Sequence, residues 1–143
     1  MLSTRVGDLI EKRKLVVAAP DTSVARAAGM MKKHEVGAVL VVEQGRLVGI
    51  FTERDAVYRV MAAGLQPHAT LLREVMTREP VTVAPDELLG TAMLLMHEHG
   101  FRHAPVVEDG RPIGVVSARK ALDPDLEEFS VEAARRKSYR RVA

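Results

Sequence analysis

The hydrophobic and polar positions of this chain follow one pattern twice. In its first occurrence, an apolar run at 16–19 ends at Pro20 and predicts a short strand. Apolar residues with the i, i+3, i+4, i+7 spacing of an amphipathic helix follow: Val24, Ala27, Ala28 and Met31. Asp21 or Thr22 is the expected N-cap of this helix. The first part of the pattern therefore predicts a strand followed by a helix.

A hairpin and a second helix complete the pattern. The β-branched run Ala38–Glu43 and the apolar run Arg46–Thr52 flank Gln44-Gly45, a sequence typical of a tight turn. A second helix is expected over 52–63, ended by Gly64. The whole unit is therefore predicted to have the order β-α-β-β-α.

The same unit recurs 65 residues later without a gap. The matches include the segments 16–21 with 81–86 and 41–46 with 106–111, and the residue pairs Gly49 with Gly114 and Arg54 with Arg119. The second copy predicts strands at 81–84, 104–108 and Arg111–Ser117, and helices at 87–99 and from Ser117 onward. Short helices are also expected before each copy, over 6–13 and 72–77. An ungapped repeat of this length indicates an internal duplication.

The duplication predicts a mixed α/β (α+β) fold. Each copy has one apolar sheet face left over, and we expect these faces to pack sheet to sheet with pseudo-two-fold symmetry. The predicted divisions are 1–66 for the first copy, 67–124 for the second and 125–143 for a basic C-terminal tail. In the tail, acidic residues precede basic ones, which favours a helix because this order complements the helix dipole.

Composition narrows the function classes. The 143 residues include no Cys, which excludes disulfides, thiolate metal sites and a Cys nucleophile, and fits a cytoplasmic protein. No apolar run approaches the roughly 18 residues of a membrane span. A formal net charge of +2 and 3% aromatic residues weigh against nucleic-acid binding as the main activity. Because no catalytic triad, carboxylate pair or glycine-rich phosphate loop stands out, we expect no enzyme activity.

Several segments resemble the cystathionine-β-synthase (CBS) motif. They are Met76-Thr77, 81–86, 102–107 and 114–117 in the second copy, and 49–55 in the first. The resemblance implies a tandem CBS pair, also called a Bateman module, which forms a homodimer. It further implies binding of AMP, ADP, ATP or S-adenosylmethionine between the two motifs. Such a module would act on an unidentified protein partner in trans, by conformational change.

The resemblance assigns one cleft to the start of the second helix in the first copy. There, Asp55 would accept hydrogen bonds from the ribose diol, Thr52 would lie near the phosphate, and Arg54 belongs to the same motif. Arg102 and His103 of the other copy would also lie near the phosphate. From spacing alone, Thr52 and Asp55 could equally form a capping box. The cleft would be completed by residues of the second copy: Thr77, Val81, Phe101, Arg102, His103 and Ala104. Arg102 could instead be a solvated residue and His103 a packed one.

The second cleft departs from the family pattern. Its helix start reads Ser117-Ala118-Arg119-Lys120, so Lys120 stands where the acid is expected. Lys cannot accept hydrogen bonds from a diol, although it could meet a phosphate. The remaining members would be Val16, Val36, Gly37 and Ala38, none of which carries a charge. We therefore expect unequal sites, with the Asp55 cleft occupied and the Lys120 cleft weak.

Other readings of the sequence compete with this one. His97, His99 and His103 lie close in sequence, but their spacing does not suit a metal site, and none is expected. The basic tail could instead contact nucleic acid or an acidic protein, with ligand sites that are vestigial.

Overall fold

Two β-hairpins related by the 65-residue repeat form the framework of the computed structural model, which describes residues 2–10 and 15–118. The strands are β1 (Val17–Ala18), β2 (Ala38–Glu43), β3 (Arg46–Thr52), β4 (Thr77–Arg78), β5 (His103–Glu108) and β6 (Arg111–Ser117). The helices are α1 (Val6–Ile10), α2 (Val24–His34), α3, α4 (Leu72–Val75) and α5 (Leu89–His99). Helix α3 begins with the α-helical turn Glu53–Asp55 and continues over Ala56–Met61 with π-helical hydrogen bonds.

The two hairpins share one backbone design. β2 pairs with β3 and β5 with β6, both antiparallel, and both ladders shift register at equivalent points, Val41/Val42 and Val106/Val107. Both turn residues of each hairpin have positive φ, as the tight turn requires: 52° and 77° in the first, 54° and 78° in the second. The predicted hairpins are therefore confirmed, although β5 begins at His103, one residue earlier than expected.

The strands that flank the hairpins differ between the copies. In the first copy, β1 lies parallel to β2 and β4 lies antiparallel to β3, giving the order β1-β2-β3-β4. In the second copy the sheet has the order β5-β6 alone. The strand expected at 81–84 is wrong as a strand. Only Val83 pairs, in an isolated parallel bridge to Val106, because Val81 and Thr82 are exposed beyond the sheet edge.

The first long helix begins later than expected. The residue at its N-cap is Ser23, not Asp21 or Thr22, and the Ser23 hydroxyl accepts a hydrogen bond from the Arg26 N–H at 3.1 Å. Ser23 also forms an isolated bridge with Leu71, which keeps the chain extended up to that point. The second copy's helix likewise starts at Leu89 instead of 87, after an isolated bridge between Arg5 and Leu88.

The short helix before each copy packs on the other copy. Val6 and Ile10 of α1 lie in the core built by Val83, Leu89 and Val106. Leu72 and Val75 of α4 lie in the core built around Val39, Val41 and Phe51. The core of the second copy is therefore completed by α1, which precedes the first copy. The core of the first copy is completed by α4, which lies between the two copies.

The two sheets meet through a third apolar cluster. Ala38, Leu40 and Ile50 are buried there, and Val115 of β6 packs against them. This contact confirms the predicted sheet-to-sheet arrangement. The C-terminal tail and the helix after Ser117 lie outside the described residues. Among the described helices, none has the length and hydrophobicity that a membrane span requires.

Candidate functional site

The start of α3 is held by a reciprocal pair of side-chain contacts. The Thr52 hydroxyl accepts from the Asp55 N–H at 3.3 Å, and Asp55 Oδ2 accepts from the Thr52 N–H at 3.0 Å. The Thr52 hydroxyl also lies 3.2 Å from the same carboxylate oxygen. This is a capping box, one of the two interpretations that the spacing of Thr52 and Asp55 allowed. The box fixes the carboxylate at the strand-to-helix junction.

Asp55 is a buried charge with a cationic partner. The residue is 7% exposed, and its Oδ1 lies 3.5 Å from the Arg59 Nε one helical turn further on. Arg59 also donates through Nη1 to the carbonyl oxygens of Val75 (3.3 Å) and Met76 (3.0 Å). Because a buried carboxylate is costly unless it is paired, these contacts offset its burial and hold the Asp55 side chain in place.

Arg54 connects the two copies. Its Nη1 donates to the carbonyl oxygen of Gly100 at 3.4 Å, and its guanidinium carbon lies 5.3 Å from the centre of the Tyr58 ring. Gly100 ends α5 in the left-handed conformation, with φ 73°, immediately before Phe101. The segment predicted to contact a base therefore begins beside the helix start that carries Asp55.

A second contact between the copies involves Gly37, Glu53 and His103. The Glu53 N–H donates to the Gly37 carbonyl at 3.1 Å. A Cβ at Gly37 would lie 2.9 Å from His103 Nε2 and would overlap Glu53 Oε1, so any larger residue there would require these side chains to shift. Burial lowers the pKa of His103; the Glu53 carboxylate opposes this shift and the Arg102 guanidinium adds to it. His103 is therefore a largely neutral, partly buried group beside a carboxylate.

The remaining residues expected at the Asp55 cleft differ in how deeply they are buried. Thr77 lies in β4 opposite Ile50, on the same sheet as the start of α3. Val81 is 37% exposed, and the Phe101 ring lies 5.7 Å from that of His99. Ala104 is fully buried in the second core, so no part of the residue is exposed to a ligand.

The residues expected at the second cleft are mostly apolar and built into the fold. Val16 is buried and Val36 partly buried in the first core, and Ala38 belongs to the cluster between the sheets. Ser117 lies opposite His103 in the β5–β6 ladder. Lys120 lies outside the described residues. Gly37 lies beside His103 of the other copy, since a Cβ at Gly37 would come within 2.9 Å of His103 Nε2.

Two residues of the site were not anticipated from the sequence. Arg59 stands four residues after Asp55, the spacing at which an acid and a base meet on a helix, so a signal for it existed. Glu53 had no such signal, because its neighbours Gly37 and His103 are distant in sequence. Within residues 2–10 and 15–118, no group of three or more His, Asp or Glu side chains is arranged to hold a metal ion.

Comparisons with known proteins agree on one family. The CBS-domain family model matches residues 6–62 and 72–124. The CBS domain-containing protein YhcV of Bacillus subtilis is 38% identical over 104 residues, covering 73% of this chain and 74% of YhcV. The uncharacterized protein MK0525 of Methanopyrus kandleri is 33% identical over 124 residues, covering 85% of this chain. The chain spans 63% of the length of MK0525.

Two similar solved structures contain adenosine compounds. PAE2072 of Pyrobaculum aerophilum, complexed with AMP, superposes with a TM-score of 0.74 at 26% identity, covering 82% of this chain and 89% of that one. The CBS domain pair of MJ0100, in complex with 5′-methylthioadenosine and S-adenosyl-L-methionine, has a TM-score of 0.74 at 28% identity, covering 82% and 96%. By its two matched motifs, its fold and its relatives, the chain belongs to the CBS-domain family and carries the motif as a tandem pair.

Proposed function

We propose that this chain is a non-catalytic regulatory module that binds an adenine nucleotide, AMP or ATP, in the cleft between the start of α3 and the segment 101–104. The observation that carries the proposal is the Thr52–Asp55 pair, which holds a carboxylate at the strand-to-helix junction beside the other copy. The AMP complex of PAE2072 and the adenosyl complex of MJ0100 support the ligand class.

The hydrogen-bonding capacity of Asp55 suits a ribose diol. A carboxylate has about four acceptor positions. Thr52 uses two on Oδ2 and Arg59 approaches one on Oδ1. One position on Oδ1 stays available, and a second becomes available on Oδ2 when the Thr52 hydroxyl rotates toward a phosphate. A diol can then donate to both oxygens, and charge-assisted bonds of this kind are among the stronger ones in proteins.

The cationic groups around the cleft suit the phosphate. Arg54 lies beside Gly100, and Arg102 is the next residue but one along the chain, so both guanidinium groups belong to the region where the copies meet. Recognition of the flat purine would fall to Phe101 and Val81. Each part of the nucleotide thus has a chemically matched partner.

Binding across the junction provides a mechanism for regulation. Because the ligand would touch Asp55 of one copy and 101–104 of the other, it would favour the arrangement of the copies that fits it best. We propose that a protein partner reads this arrangement in trans, and that the chain acts as a homodimer in the cytoplasm. The lack of Cys is consistent with that reducing compartment.

Isothermal titration calorimetry with AMP, ATP, S-adenosylmethionine and GMP tests the proposal. GMP is the matched control because it keeps the ribose diol and phosphate of AMP and changes only the base. We expect saturable binding of at least one adenine compound and at least tenfold weaker binding of GMP, about 1.4 kcal/mol. The absence of binding by all three adenine compounds, or equal binding of AMP and GMP, would contradict the proposal.

A further inference from the structure

We propose that Arg59 is a positioning residue for the nucleotide, which aims the Asp55 carboxylate at the ribose and couples it to the segment that joins the two motifs. The inference rests on the proposed function, since it assigns a role within the same cleft. It starts from the observation that one side chain contacts both the carboxylate and the backbone of the joining segment.

The guanidinium of Arg59 is held independently of any ligand. Its Nη1 donates to two carbonyl oxygens, those of Val75 and Met76, at 3.3 and 3.0 Å. These carbonyls belong to the last residue of α4 and its C-cap, where helix carbonyls lack partners within the helix. The planar, multi-donor guanidinium can satisfy them and still present Nε to Asp55, which a lysine cannot do from one point charge.

Arg59 and the ribose can use the carboxylate together. Arg59 Nε approaches Oδ1 at 3.5 Å, whereas both Thr52 contacts fall on Oδ2. A diol that binds both oxygens would displace the Thr52 hydroxyl, which rotates freely, and leave Arg59 where it is. Arg59 then offsets the burial of the Asp55 carboxylate, in a residue that is 7% exposed. Its contribution to binding is therefore expressed only through the ribose hydroxyls.

The same contacts give the site a route to the joining segment. Met76 is followed directly by β4, which pairs with β3, and β3 ends at Thr52. A small shift of the carboxylate on ligand binding would be passed through Arg59 to the carbonyls of Val75 and Met76. Occupancy of the cleft is thereby coupled to the segment that connects the motifs.

The test compares Arg59→Gln with Arg73→Gln and measures the affinity of AMP and of 2′,3′-dideoxy-AMP. Arg73→Gln is the matched control because it removes the same charge from α4, and the Arg73 side chain makes no hydrogen bond or ion pair with the described residues. We expect Arg59→Gln to weaken AMP binding about tenfold, the scale of one charge-assisted contact, and dideoxy-AMP binding less than twofold. Arg73→Gln should change neither, and Arg59→Lys should recover only part of the loss.

Hydrogen exchange supplies a readout that a merely structural role would not change. In the parent protein, saturating AMP should slow exchange of the amides at 76–78, and in Arg59→Gln this slowing should be lost even at saturation. Three results for Arg59→Gln would overturn the inference: equal weakening of AMP and dideoxy-AMP binding, no weakening of AMP binding, or full slowing of exchange at 76–78. If the parent protein still binds AMP, each of these results leaves the proposed function intact. A parent protein that binds no adenine compound would instead refute the proposed function itself.

Discussion

The two copies of the motif share a backbone but not a chemistry. Their hairpins have the same register, the same irregularity and the same turn geometry. The helix that follows the first hairpin starts with Thr52-Glu53-Arg54-Asp55, whereas the sequence after the second reads Ser117-Ala118-Arg119-Lys120. Conversely, the second copy contributes Phe101-Arg102-His103 where the first has Val36-Gly37-Ala38. The acid of the proposed cleft and the residues Arg102 and His103 therefore come from opposite copies.

The comparison also explains a conserved feature of the scaffold within the repeat. Gly49 and Gly114 are equivalent positions in the two copies. Each is contacted by a segment from outside its own copy: Gly49 by the end of α4, and Gly114 by α1. Met76 lies against Gly49, and Ile10 lies against Gly114. Both copies therefore have glycine at the position where a short helical segment packs against β3 or β6, whereas the side chains at the clefts differ between the copies.

The largest effect is expected in the two cores, at the equivalent residues Phe51 and Val116. Phe51 is fully buried and Val116 is 3% exposed. Phe51→Ala should lower the free energy of unfolding by about 3–5 kcal/mol. Val116→Ala removes less apolar volume and should cost about 1.5–2 kcal/mol. Urea denaturation of both variants measures the difference, and an equal or larger loss in Val116→Ala would contradict it.

The next largest effect is expected at the two helix starts. Asp55→Ala removes the acceptor of the proposed diol contacts and should weaken AMP binding about 100-fold or more. Ser117 is the position in the other copy that corresponds to Thr52. Ser117→Ala should alter the affinity for AMP less than about threefold. Fluorescence or calorimetric titration of both variants gives the ratio. Thermal melts serve as the control, because loss of the cap at Asp55 should cost only about 1 kcal/mol of stability.

The equivalent glycines sharpen the comparison at a smaller scale. A Cβ at Gly49 would lie 2.6 Å from Met76 Sδ and 3.0 Å from the Thr77 carbonyl oxygen, and that carbonyl belongs to β4. The three atoms nearest to a Cβ at Gly114 all belong to the Ile10 side chain, the closest at 2.9 Å. Both Gly→Ala variants should be destabilised by about 1–3 kcal/mol, with Gly49→Ala the worse because backbone cannot move aside. Chemical denaturation showing the reverse order would break this account.

The smallest effect is expected from His103, which has no histidine equivalent in the first copy. Its pKa is lowered chiefly by burial, with Glu53 opposing and Arg102 reinforcing the shift. The unfolded chain therefore binds more protons than the folded one as the pH falls below 6.5, so stability should decrease there. His103→Asn should reduce this decrease in melting temperature between pH 7.5 and 5.5, with His68→Asn as the control. An unchanged pH profile in His103→Asn would contradict the prediction.

Local pattern was enough to predict the hairpins and the approximate helices. The strands Ala38–Glu43, Arg46–Thr52 and Arg111–Ser117 have the predicted bounds, because apolar runs and turn residues act over a few residues. Local pattern did not predict β4, the packing partners of α1 and α4, or the Ser23 cap. Each of these depends on a segment that is distant in sequence but adjacent in the fold. The predicted strand at 81–84 failed for the same reason: its residues have strand propensity, but only Val83 meets a partner.

The candidate site shows the same division. The Thr52–Asp55 pair is a contact over three residues, and its spacing predicted the capping box as one of two alternatives. Other contacts join different secondary-structure elements. Arg59 contacts the carbonyls of Val75 and Met76, and Glu53 lies beside Gly37 and His103. Sequence spacing carries no information about such contacts unless the fold is already known.

Native mass spectrometry of the chain during titration with AMP tests the central claim most directly, because it counts ligands per chain. The account predicts that one AMP binds per chain at concentrations well above the dissociation constant, and that Asp55→Ala removes this bound AMP. Two AMP molecules bound per chain with equal affinity, or one AMP retained undiminished in Asp55→Ala, would contradict it.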